Sequence, residues 1–443
     1  MTQTTLPRVV IAGGGVAALE TLIALRDLAG DRVDITLVAP EESFAYRPMT
    51  VAAPFAAGNA NRYGLARIAT EFGARVVQDA VHEVRSEEQA ILTVEGRRIP
   101  YDHLVLATGA RATPAYERAI TFGEDVDEQA LHGLLRDTEE GYVDRVAFVV
   151  PNETTWALPL YELALMTARQ AWSMGADRVR FLLVTSEERP LAIFGAAASD
   201  AVAGLLESAS IEFIGSAYTQ VEHNRLIVDP GGRTVDVNRV VSLPRLEGRR
   251  ISGVPADSEG FIPVDLYGRV AGLPSVYAAG DGTSFPIKQG GLATQQADAV
   301  AETIAAAAGA PVEPQPFKPV LRGVLLTGGD KRFMRSGVAG GQGEPEVAAH
   351  TLWWPPAKIA SRYLAPFLFG RDEVATIEHI RGDHLAVEAD IAMTADVQAA
   401  GIAVSGPEGA RSQGLSSSAW SARTARATRS RWPARSRGPF TRG

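Results

Sequence analysis

Apolar positions recur along this chain with two periods. Arg8–Ala12 is a nearly continuous apolar, β-branched run, the pattern of a strand buried on both faces. After three glycines the period changes: Ala18, Leu22, Leu25 and Ala29 fall on one helical face, and Gly30 closes the run as a C′ residue. The run Val33–Val38 predicts the next strand and completes a βαβ unit. Between Ala74 and Tyr101, alternation broken by turn residues predicts short antiparallel strands at Arg75–Val77, Val81–Val84 and Ala90–Val94. A buried strand follows and ends in Ala107-Thr108-Gly109. The strand–helix–strand theme returns with Arg145–Val150, a helix over Ala157–Met174 ended by Gly175, and Val179–Thr185. Pro274–Asp281 reads as a strand ending in Gly280-Asp281, which leads into a helix over Leu292–Ala308. From Phe317 to Gly370 the pattern predicts a further domain, with a helix-like run at Lys358–Leu364 and apolar bulk at Pro366–Phe369.

The turn after the first strand carries chemistry. Gly13-x-Gly15-x-x-Ala18 stands between strand and helix, as a dinucleotide fingerprint requires. Gly13 permits the tight turn, Gly15 lets the backbone approach a pyrophosphate, and Ala18 lets helix and strand pack closely. The helix N-terminus offers N–H groups and a positive dipole end. An acid at the end of the next strand binds the adenosine ribose in such sites. Ala39-Pro40 occupies that place here, so Glu41 just beyond it is the candidate, with an exposed loop acid as the alternative. The corresponding turn of the second unit, Pro151–Trp156, has no glycine, which weakens the case for a second nucleotide there.

Composition narrows the chemistry. The 443 residues suit two or three domains, and no apolar run approaches a membrane span. There is no secretory signal pattern before the first strand, so a cytoplasmic protein is expected. The chain has no cysteine, which removes disulfides, thiolate metal sites and thiol or persulfide relays. A net charge of −9 is unevenly placed: Ser405–Gly443 holds eight Arg and one Glu. That stretch reads as a solvated, disordered tail, and no nucleic-acid partner is expected.

Taken together, Gly13-x-Gly15-x-x-Ala18, Ala107-Thr108-Gly109 and Gly280-Asp281 resemble the two-dinucleotide-domain flavoproteins of the pyridine nucleotide-disulfide oxidoreductase family. The likeness is greatest to the sulfide:quinone oxidoreductase and type II NADH dehydrogenase branch. Pro159-Leu160-Tyr161-Glu162 resembles the Pro-x-Tyr-Glu of the first, and Ala293-Thr294-Gln295 part of the quinone-site pattern of the second. The resemblance implies an α/β fold of two Rossmann-like, three-layer ββα domains plus a C-terminal α+β region. It implies an FAD domain at 1–112 and 256–312, an inserted NAD(P)-binding-like domain at 113–255, a C-terminal domain at 313–403 and the tail at 404–443.

The same resemblance implies FAD as cofactor, with NAD(P)H admitted as co-substrate and no metal. Cofactor contacts are expected at Gly13, Gly15, Val16, Ala17, Ala18, Glu41, Val81, Ala107, Thr108, Gly109, Gly280, Asp281, Gly290 and Leu292. Lys288 and Gln295 are the expected catalytic residues, Lys288 either stabilising reduced flavin or standing as a surface charge. The implied function is electron transfer from NAD(P)H through flavin to a quinone-like acceptor. The alternatives are a flavoenzyme that oxidises a small substrate without nicotinamide, and a flavin-bound sensor without turnover. Small-molecule donor and acceptor, peripheral membrane contact, and a monomer or homodimer complete the expectations.

Overall fold

The computed structural model describes residues 5–371 except 58–60, 124–127, 153, 155, 329–332, 336–345, 349–352 and 356, together with the strand 384–390. The expected tail at 404–443 lies outside the described residues. Strand β1 (Arg8–Ala12) runs into helix α1 (Val16–Ala29), then β2 (Asp34–Ala39), β3 (Arg75–Gln78) and β4 (His103–Leu106). Here β1 pairs in parallel with β2 and with β4. The stretch near Arg75, expected among the antiparallel strands, instead joins the edge of this parallel sheet beside β2. Its half-buried residues suit an edge position. The antiparallel sheet is formed by Val81–Arg85, Ala90–Thr93 and Arg98–Pro100.

Side-chain alternation along β1 sets the layers. Val9 and Ile11 enter a core shared with the helices, whereas Val10 and Ala12 enter a core shared with Val84 and Ile91 of the antiparallel sheet. Leu19, Leu22 and Leu25 of α1 are fully buried in the first core. Each such burial contributes about 1.5–3 kcal/mol.

A second parallel sheet contains β5 (Ile120–Thr121), β6 (Arg145–Val149), β7 (Arg180–Val184), β8 (Ile211–Ile214) and β9 (Arg239–Ser242), in the order β5-β9-β6-β7-β8. Helix α2 (Leu158–Ser173) connects β6 to β7, and α3 (Ala196–Ser208) connects β7 to β8. The layering repeats: Val146 and Phe148 face the helices, while Ala147 and Val149 pack with Leu226, Val228 and Val235 of a three-stranded meander. This is the three-layer ββα arrangement, built twice.

The chain then returns to the first sheet. Strand β10 (Val276–Ala278) pairs in parallel with β4, giving the order β10-β4-β1-β2-β3. Helix α4 (Gly290–Ala307) follows and packs along α1. It starts two residues before the expected Leu292. Strand β11 (Val320–Leu326) pairs antiparallel with β12 (His384–Asp390), and α5 (Leu364–Phe369) lies between them in sequence. The run Lys358–Leu364, expected to be helical, is irregular up to Tyr363, and helix forms only at α5. Among the described residues, no helix is long and apolar enough to cross a membrane.

Candidate functional site: a dinucleotide cradle

The C-terminal ends of β1, β4 and β10 meet at one edge, and each strand ends in small residues. Gly13 has φ +131°, and its N–H donates to Val38 O at 2.8 Å. A Cβ on Gly13 would stand 2.1 Å from Ala107 O, and the Ala107 N–H donates to Ala12 O at 2.8 Å. The glycine turn and Ala107-Thr108-Gly109 are therefore fastened together. Gly109 has φ +67°, a conformation that favours glycine, and its carbonyl lies 3.1 Å from where a Cβ on Gly282 would be. A Cβ on Gly280 would meet the Ala17 Cβ at 3.0 Å and the Ala293 Cβ at 3.5 Å. The Gly280 N–H donates to Gln296 Oε1 at 2.7 Å. Glycine at 280 and alanines at 17 and 293 thus let α1, α4 and the end of β10 converge.

Gly15 has a different role. It is the N-cap of α1, with extended backbone, and no side chain caps the helix. A Cβ there would meet no atom within 4 Å. The N-terminal turn of α1, with Val16, Ala17 and Ala18, faces this open space, which suits a pyrophosphate. Glu41 is exposed at the end of β2, and its Oε2 lies 3.6 Å from the Cβ position of Gly14. The carboxylate expected for the ribose therefore stands beside the glycine turn. Val81 is half-buried two residues past Asp79, whose N–H donates to Ala39 O at 3.1 Å, so it borders the same strand end. A strand edge drawn tight at Gly13 and Gly280, open at Gly15 and flanked by Glu41, fits FAD.

The catalytic candidates are arranged less simply. Lys288 is not a surface charge. Its Nζ donates to Thr283 O at 2.5 Å and sits 3.7 Å from the Phe261 ring centroid. Burial lowers its pKa to about 8, opposed by the charges of Asp281, Asp257 and Glu259. Half-buried Asp281 thus neighbours both the cradle and this ammonium. Gln295 is a clamp: Nε2 donates to Gly291 O and Val320 O, and Oε1 accepts from Val320 N. One amide proton and the amide oxygen bind α4 to β11, and the other proton stays within α4, so both protons are engaged inside the protein. At the start of α4, Gln289 Oε1 accepts the Leu292 N–H at 2.8 Å, so that amide is already satisfied. Gly290 is covered by Ile359, whose Cδ1 lies 2.8 Å from its Cβ position.

Sequence patterns do not reveal a buried pair beside this point. Lys358 Nζ donates to Glu162 Oε2 at 2.7 Å and to Pro48 O at 3.1 Å, while Glu162 Oε1 accepts from Leu326 N. Burial pushes Glu162 up and Lys358 down, and their mutual attraction opposes both shifts. The signal available was Glu162 inside an otherwise apolar helical run.

The second unit presents a different surface. Its turn lacks glycine, and α2 begins after Ala157 without a side-chain cap. A Cβ on Gly323 of β11 would meet Phe194 Cζ at 2.7 Å and Leu158 Cδ1 at 3.0 Å, and Trp156 stands edge-on to Phe194. Tyr161 Oη donates to Glu187 Oε2 at 2.7 Å, and burial pushes both groups up. Glu187, at the end of β7, is thereby engaged by the protein itself.

Comparison with known proteins agrees with this architecture. The family model described as pyridine nucleotide-disulphide oxidoreductase matches residues 7–139 and 163–305. A sulfide-quinone reductase of Aquifex aeolicus (strain VF5) is 26% identical over 275 residues, covering 56% of this chain and 61% of the relative. The chain spans less than two thirds of the length of the curated relatives it matches. Among solved structures, the sulfide:quinone oxidoreductase from Aquifex aeolicus superposes with a TM-score of 0.63 at 21% identity, covering 72% of this chain and 81% of that one. NDH2 from Plasmodium falciparum in complex with NADH gives a TM-score of 0.52 at 15% identity, covering 63% and 65%. On the strength of the family match, the chain belongs to the pyridine nucleotide-disulphide oxidoreductases, a family of FAD-dependent oxidoreductases that also uses pyridine nucleotides.

Proposed function

We propose that this chain is an FAD-dependent oxidoreductase that passes electrons from a reduced donor to a quinone-like acceptor. The convergence of Gly13–Ala18, Ala107–Gly109 and Gly280–Asp281 on one sheet edge carries the reading. We divide the chain into an FAD domain of 1–112 and 256–312, an inserted domain of 113–255 and a C-terminal domain of 313–403. When bound, FAD supplies two-electron chemistry through its ring system. The residues supply placement: N–H groups at the start of α1 for the pyrophosphate, Glu41 for the ribose, Asp281 for the ribityl chain, and Val81 and Leu292 as apolar walls. Lys288 holds its proton in a buried setting next to Asp281 and favours negative charge on the reduced cofactor. No step depends on a thiol, which the chain lacks.

The acceptor is read from the sulfide-quinone reductases among the relatives. A quinone held in lipid would be met from the face bearing Trp354, which is 71% exposed and stands edge-on to Phe369. For the donor, a reduced nicotinamide suits a second dinucleotide-type fold with Glu187 at the ribose position. A second reading, a small reductant that meets the flavin without nicotinamide, is favoured by the Tyr161–Glu187 bond and by Phe194 and β11 over the start of α2. The deciding experiment is an absorbance spectrum of the purified protein followed by anaerobic titration. Bleaching by NADH or NADPH supports the nicotinamide donor; bleaching by sulfide but by neither nucleotide supports the second reading. A protein that takes up no flavin after incubation with FAD refutes both.

A further inference from the structure

The segment 357–364, irregular up to the first residue of α5, crosses the N-terminal end of α4 and is fixed there from three sides. Ile359 covers Gly290, and its N–H donates to Tyr46 Oη at 2.9 Å. Lys358 is held by Glu162 of α2. The third fixture is Glu20, fully buried on α1. Its carboxylate accepts the N–H groups of Arg362 at 2.9 Å, Tyr363 at 2.9 Å and Leu364 at 2.6 Å. These bonds fix where helix begins: the amides left free at the start of α5 are taken by a side chain on another element.

Asp298 on α4, the helix packed along α1, is buried close to Glu20; its Oδ1 has no partner among the described residues, and burial beside a second carboxyl pushes it up. Two carboxyl groups buried so close need a proton between them. Burial pushes both carboxyls up, and the three N–H donors oppose this at Glu20, so the proton is favoured on Asp298. The other charged or titratable groups here are Glu302 on α4, which pairs with Arg362 at 3.0 Å, Asp27 on α1, and Tyr363. The arrangement is clamped by a proton as much as by packing.

We propose that the Glu20–Asp298 carboxyl pair is a proton-operated latch on segment 357–364, shut while Asp298 is protonated and released as Asp298 ionises. The consequence for catalysis rests on the flavin reading, under which Leu292 at this end of α4 would wall the cofactor site. Opening admits water to Asp298 and returns it toward an ordinary carboxylate, so the shut form binds the proton more tightly. Closure is therefore at full strength below the ordinary carboxylate range and weakens as pH rises. The opening constant grows by up to tenfold per pH unit until the pKa of the shut form is passed.

The absence of cysteine makes a direct test available. Ala360→Cys places one thiol in the buried segment of an otherwise thiol-free chain, and Ala66→Cys on the exposed face of the helix Leu65–Glu71 gives the reference rate. Alkylation at 360, divided by the reference at each pH, is expected to rise steeply from mildly acidic to mildly alkaline pH. Asp298→Asn keeps a hydrogen-bond donor toward Glu20 but does not titrate, so it should label slowly with no slope. Asp298→Ser, smaller and also neutral, should lose the slope too. Glu20→Gln should label fast throughout. A flat profile in the parent, or the parental slope in both Asp298 variants, overturns the latch. Flavin absorbance recorded on the same samples reports separately on the flavin reading, since labelling needs no bound cofactor.

Discussion

Gly13→Ala and Gly15→Ala should fail in opposite ways, although the two glycines stand two residues apart in one motif. At Gly13 the φ of +131° is a conformation that L-residues avoid, at a cost of about 1–3 kcal/mol. The new methyl would also stand 2.1 Å from Ala107 O, so the end of β4 must retreat by roughly an ångström, at a further cost of about 1–3 kcal/mol. The total, about 2–6 kcal/mol, is comparable with the whole stability of a domain. At Gly15 the backbone is extended, φ −91° and ψ −167°, and no protein atom lies within 4 Å of the Cβ position. Stability should fall by no more than about 1 kcal/mol, the difference between Gly and Ala as an N-cap. The methyl projects into the space assigned to the pyrophosphate, so flavin affinity should fall at least tenfold, roughly 1.4 kcal/mol. Urea unfolding of the flavin-free proteins measures the first effect, and titration with FAD followed by flavin fluorescence measures the second. Parental affinity in Gly15→Ala, or parental stability in Gly13→Ala, would refute the cradle geometry.

Three further outcomes can be checked by equilibrium unfolding. Lys358→Met leaves Glu162 buried and unpaired, and should cost about 3–5 kcal/mol in the urea midpoint analysis, whereas Lys358→Met with Glu162→Gln should recover much of the loss. Tyr161→Phe removes a donor from Glu187 and should cost about 1–3 kcal/mol. Because burial holds Glu187 above the unfolded value, its contribution falls as pH rises from the ordinary carboxylate range through the folded pKa, and urea curves across pH should show that fall steepen in Tyr161→Phe. Lys288, lowered to about 8, gives the opposite sign: the unfolded chain binds more protons above that value, so stability should rise by up to about 1.4 kcal/mol per unit from pH 8 toward the free-lysine value of roughly 10.4. Lys288→Met should abolish that rise in thermal melts recorded across the window.

What was legible in the sequence was local. The buried period of β1, the glycines that turn it, and the strand ends at Ala107–Gly109 and Gly280–Asp281 each announce themselves within a few residues, and they lie together in space because the parallel sheet aligns their strand ends. Helix α4 begins two residues before the expected Leu292 because its cap is Gln289, outside the usual short polar N-cap residues. The strand expected at Arg75–Val77 joins the parallel sheet instead, because two half-buried valines between exposed Arg75 and Gln78 carry no sign of which sheet edge they pair with. The helix expected at Lys358–Leu364 begins only at Leu364, at a point no local pattern contains: Glu20, far away in the chain, takes the amides of Arg362, Tyr363 and Leu364. Pairing partners such as Glu162 and Lys358 are likewise invisible until the fold joins them.

The two ββα units also show how one fold can carry unlike sites. Both place a helix N-terminus without a side-chain cap at the end of their first strand. In the first unit the small residues belong to the turn, and Gly15 leaves its surroundings open. In the second the turn has no glycine; the close approach is made instead by Gly323 of β11, which lies against Leu158 and Phe194. Glycine has moved from the surface that would receive a phosphate to the strand that covers it. The Tyr161–Glu187 bond completes the exchange by engaging, inside the protein, the acid a ribose would need. Apolar packing thus occupies the second helix N-terminus as a dinucleotide fits the first, and this contrast is the physical reason for placing the flavin in the first unit and for testing reductants other than nicotinamides.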